Sequence, residues 1–60
     1  MDRYLSAKDI QGILQIGRNK VYNLIQQNDF PKIQIGRSYL IPESEFEKYL
    51  QRKLYKKIEV

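Results

Sequence analysis

Arg18, Asn19, Lys20, Tyr22, Asn23 and Gln26 crowd one short stretch of the sequence. Asn and Gln can pair bidentately with adenine in a major groove, and Arg with guanine, so this set holds the donors and acceptors needed to read base edges. A solvated helix face has the same composition, because every amphipathic helix has a polar side. Further along, Arg37 follows Gly36 and is either a minor-groove probe or a solvated turn. Lys8, Lys32 and also Lys20 are candidate phosphate contacts, with a solubilising role as the plainer reading of each.

The remaining chemistry is narrowed by what is absent. With no His and no Cys among 60 residues, hydrolytic triads, cysteine nucleophiles and Cys/His zinc sites are excluded. The carboxylates are scattered along a chain too small to wall a deep pocket, so no catalytic residue, metal or cofactor is expected. Eleven Lys and Arg stand against seven Asp and Glu, a formal charge of +4. That balance favours an anionic partner, nucleic acid before acidic membrane. Most of the excess lies in residues 1–42, with six bases and three acids, against five and four in residues 43–60. No apolar run approaches bilayer-spanning length and MDRYLS lacks a signal-peptide core, so the expected location is the cytoplasm and no membrane contact is expected.

Positioning these side chains requires elements that the spacing supplies. Ser6 and Asp9 fit a capping box, with Leu5 and Ile10 as its hydrophobic staple, so a helix begins near Ala7. Its apolar set is Ile10, Ile13 and Leu14, and Gly17 ends it or caps the next helix. From Arg18, the spacing of Val21, Leu24 and Ile25 defines a buried face, with Asn19, Asn23 and Gln26 nearly opposite and Lys20, Tyr22 and Gln27 on its shoulders. Asn28 to Pro31 stop that helix.

Lys32 to Ile35 alternates polar and apolar, and Tyr39 to Ile41 resumes after Gly36-Arg37, which predicts a hairpin with Arg37 at its tip. Ile33 and Ile35 are expected to pack on the core, and the loop has two residues, or three if Ser38 joins it. Pro42 opens a third helix with Glu43, Glu45 and Glu47 at its positive end and Arg52, Lys53, Lys56 and Lys57 at its negative end. Phe46, Tyr49, Leu50 and Leu54 are its predicted buried stripe. The basic run 52–57 also reads as a DNA-backbone arm, and Leu54, Ile58 and Val60 either dock on the core or meet a neighbouring protomer. The order predicts one domain over residues 1–60: a small, mainly helical α+β winged helix-turn-helix.

The segments YLSAKDIQGIL, QIGRNKVYNLI, FPKIQIGRSYLIP and EFEKYL resemble the excisionase family of helix-turn-helix proteins, related to the winged DNA-binding domain of MerR-type regulators. IGRNK is similar in particular to excisionases of integrative and conjugative elements. Gln15 stands where many relatives have glycine, and Gly17 where they have a serine or threonine cap. The resemblance implies sequence-specific binding to double-stranded DNA, with Arg18 to Gln26 as recognition helix and Arg37 on the wing. It further implies an architectural role beside an attachment site, assisting a separate integrase, with cooperative self-association on DNA. A transcriptional regulator using the same domain is the alternative, and a protein-interaction module is a third reading.

Overall fold

The computed structural model describes residues 3–60. Strand β1 (Tyr4–Leu5) leads into helix α1 (Ala7–Leu14), a turn, helix α2 (Arg18–Ile25), a hairpin of β2 (Ile33–Ile35) and β3 (Ser38–Pro42), and helix α3 (Glu43–Arg52). The strands form an antiparallel sheet in the order β1-β3-β2. This is a small winged helix-turn-helix, with β1 added to the expected hairpin.

Local chemistry starts α1. The Ser6 hydroxyl accepts from the Asp9 amide at 3.1 Å, and the Asp9 carboxylate accepts from the Ser6 amide at 2.9 Å. The bond from the Ser6 amide holds the Asp9 carboxyl below the usual carboxylate range, with Arg3 and Lys8 acting the same way. The other end of α1 is less well matched. Gln15 adopts φ 55° and ψ 47°, and the Gln15 and Ile16 amides both donate to the Gln11 carbonyl. This is the left-handed helix stop that glycine occupies without strain. Gln15→Gly should therefore stabilise the protein by about 0.5–1 kcal/mol, the relief of left-handed strain less glycine's added freedom in the unfolded chain. A thermal melt checks this, with an expected rise of about 2–8 °C.

The core consists of Leu5, Ile10, Val21, Leu24, Ile25, Phe30, Ile41, Phe46 and Tyr49. Phe30 lies beyond α2 in the segment read from sequence only as a helix stop, yet its ring meets Tyr49 edge-on at 5.0 Å and Phe46 at 6.0 Å. Lys53 pairs with Asp29 at 3.0 Å, tying the end of α3 to the same loop and lowering the Asp29 carboxyl.

Several expectations are corrected. Ile33 and Ile35 do not pack on the core; they are 44% and 58% exposed. The register explains this. Leu5 opposes Ile41, and both are buried, so that face of β3 carries Tyr39 as well, and Tyr39 opposes Gln34. Opposed residues share a face, which leaves Ile33 and Ile35 on the outer one. The hairpin loop has two residues, since Ile35 pairs with Ser38, and Gly36 supplies its positive φ of 57°. Helix α3 stops at Arg52, so Lys56 and Lys57 lie outside its last turn and Leu54 is 56% exposed. Tyr55, at φ 66°, turns the chain away from the helical path. The following segment returns to the core through Ile58, while Val60 stays largely exposed. Ile13 is exposed too, since α1 turns Ile10 rather than Ile13 into the core.

Candidate nucleic-acid interface

Helix α2 is held by Val21, Leu24 and Ile25, all at most 1% exposed. With that stripe inward, the 100° turn per residue leaves Arg18, Asn19, Lys20, Asn23 and Gln26 exposed. Gln26 sits just past the last turn, its amide donating to the Tyr22 carbonyl at 3.1 Å. Gly17 caps α2 without a side-chain acceptor. The first-turn N–H groups beside Arg18, Asn19 and Lys20 are thus left to solvent or to an anion.

Tyr22 is half-buried at the junction of α2 with its neighbours, and the Arg18 guanidinium lies over its ring at 5.9 Å. That cation–π contact steers a flexible side chain along the helix surface. Lys8, Gln11, Arg18 and Tyr22 line a concavity between α1 and α2. A second concavity, lined by Ser6, Lys8, Tyr22, Arg37, Ser38 and Tyr39, connects α1 and α2 to the wing tip. Lys8 and Tyr22 belong to both, so the fold joins Lys8, Arg18, Tyr22 and Arg37 on one continuous face. The proximity of Lys8 to Arg37, far apart in sequence, is a product of the packing of α1 on β3.

Other residues fall elsewhere. Lys20 lies with Arg18 and Asn19 over the α1–α2 turn. Lys32, a candidate phosphate contact, instead donates its Nζ to the Gln27 carbonyl at 3.0 Å in a half-buried position, closing the loop after α2. Within the basic run 52–57, Arg52 lies over the Tyr49 ring, Lys53 pairs with Asp29, and Lys57 approaches Glu59 at 3.8 Å. Gln11, Ser38 and Tyr39 line the face without having been singled out from sequence; their only signal there was proximity to Lys8 and Arg37.

The family model described as a helix-turn-helix domain matches residues 4–54, from β1 past the end of α3. The chain belongs to the helix-turn-helix domain family. Comparison with curated proteins and with solved structures gives no match. A helix-turn-helix domain is a DNA-binding unit whose second helix enters the major groove while the first crosses the backbone. In this helix-turn-helix domain the first and second helices are α1 and α2, and the exposed side chains of α2 are the amides and cations described above. Among the described residues, no helix is long and apolar enough to cross a membrane.

Proposed function

We propose that the protein is a sequence-specific architectural DNA-binding protein, an excisionase that binds beside an attachment site and assists a separate integrase. The observation that carries this reading is the continuous face joining Lys8, Arg18 and Tyr22 on the two helices to Arg37 on the wing. In it Arg18, Asn19, Asn23 and Gln26 read base edges in the major groove, and Arg37 enters the adjacent minor groove. Tyr22 sets the angle of Arg18, while Lys8 and Lys20 hold phosphates and so fix the register. The excision role rests on the resemblance of IGRNK and of the wing block IGRSYLIP to excisionases, and on membership of a helix-turn-helix family that includes excisionase-like proteins.

A domain only 31 Å in its longest dimension covers little DNA. An excisionase of this size gains specificity by occupying neighbouring repeats and by deforming the duplex. DNase footprinting on the attachment region should give protection over repeated half-turns, with the complex migrating as bent DNA. Deletion of the protein should abolish excision. A single compact footprint over a promoter, with excision unaffected, would support the regulator instead.

A further inference from the structure

Residues 55–60 lie beyond the segment that the family model matches, yet through them the chain returns to the helix-turn-helix. The reversal is local. The Leu54 amide donates to the Gln51 carbonyl at 3.2 Å, the Lys56 amide donates to the Lys53 carbonyl at 2.8 Å, and Tyr55 takes φ 66° between them. The Lys53–Asp29 pair holds the start of this turn against the loop after α2. Beyond it Ile58 packs on the core and, with Val60, lines an apolar crevice whose other walls are Leu14, Ile16 and Leu24. The Gln27 Nε2 donates to the Glu59 carbonyl.

These anchors flank α2 on both sides. Leu14 ends α1, Ile16 lies in the turn before α2, Leu24 belongs to the last turn of α2, and Gln27 stands just past it. Local chemistry secures that helix poorly. The turn before it passes through Gln15 in a left-handed conformation, and Gly17 offers no side-chain cap. Both α1 and α2 have eight residues, a length that is marginal without tertiary support. A helix of eight residues is about 12 Å long, so a tilt of about 10° moves its far end by about 2 Å. Bidentate contacts to base edges need hydrogen-bond geometry and are lost by such a shift. Attraction to phosphates is longer-ranged and survives it.

We infer that the segment 55–60 is a strap that sets the tilt of α2, with Ile58 as a positioning residue for base readout. Ile58 approaches α2 at Leu24, on the buried stripe, so it acts through the helix and not on the DNA. The strap rests on the DNA-binding reading and adds to it that discrimination between sequences, rather than affinity for duplex as such, depends on residues beyond the family match.

The test uses the full chain, a duplex carrying the site that the parent selects from a random library, and a random duplex of equal length. Binding is measured at a temperature where circular dichroism shows each variant folded. Ile58→Ser should lose about tenfold on the selected site while its affinity for random duplex and its salt slope stay within about twofold of the parent's. Ile58→Leu should restore discrimination. Gln27→Met, which keeps the length of the side chain but removes the donor, should lose about threefold in the same sense. Phe46→Leu, a change in the buried part of α3, should lower the melting temperature without altering the ratio of the two affinities, because partial unfolding weakens both complexes by the same factor. Equal losses on the two duplexes in Ile58→Ser, or a parent-like ratio, would overturn the inference, as would a ratio that falls equally in Phe46→Leu. Should Ile58→Ser not fold, Gln27→Met decides, and a parent-like ratio there overturns the inference as well. Failure of the parent to bind duplex, or to prefer any site, would instead remove the DNA-binding reading itself.

Discussion

Arg18→Ala and Asn23→Ala are each expected to cost about 1–3 kcal/mol on the DNA site that the protein selects, and little on random duplex. Both side chains stand on the exposed face of α2, where removal creates no cavity. The fold should therefore survive, since surface substitutions usually change stability by less than about 0.5 kcal/mol. Arg18 has one further tie, the contact over the Tyr22 ring, worth about 0.5–1 kcal/mol at an exposed position. Arg18→Lys separates charge from geometry: it keeps the cation but loses the planar fork, so binding to random duplex should persist while discrimination falls. Titrations on selected and random DNA measure the difference directly. Equal losses on both would show that these residues anchor the backbone and do not read bases.

The largest stability effect should come from Phe30→Ala. Phe30 is 3% exposed and its ring packs edge-on against Tyr49 and at a tilt against Phe46. Truncating a buried phenylalanine to alanine costs about 3–5 kcal/mol. A domain of this size has only about 3–9 kcal/mol in total. The variant should be largely unfolded at room temperature by circular dichroism, and Phe30→Leu, which keeps most of the volume, should remain folded with a lowered melting temperature. A parent-like melt for Phe30→Ala would mean that the aromatic trio is not the centre of the core.

How far the sequence discloses this molecule depends on whether the signal is local. Ser6 and Asp9 announce α1 because both halves of the capping box lie within one turn. Val21, Leu24 and Ile25 announce the orientation of α2 because 3.6-residue periodicity is written in the chain, and Gly36 announces its turn through the backbone angle that the turn demands. Alternation in Lys32–Ile35 is legible too, but period 2 says only that Ile33 and Ile35 share a face. Which face is decided by Leu5 and Ile41 across the sheet. Strand β1 has two residues, too few to carry any periodicity.

Phe30 was obscured by its neighbours, since Asn28, Asp29 and Pro31 are turn formers and the aromatic among them acts at long range. Leu54 misled in the opposite sense. It continues the helical spacing of Phe46 and Leu50, but the helix has already ended at Arg52. In the interface, the polar face of α2 could be read directly, whereas the meeting of Lys8 with Arg37 and the withdrawal of Lys32 to the Gln27 carbonyl depend on tertiary packing.

In the proposed function, the face joining α1, α2 and the wing binds DNA through its phosphates as well as its bases. The most direct test of that binding is the salt dependence of duplex binding by the parent protein. If the domain neutralises about four to six phosphates, log affinity should fall linearly against log salt with a slope of about −3.5 to −5.5. A flat response, or no duplex binding at low salt, would contradict the account.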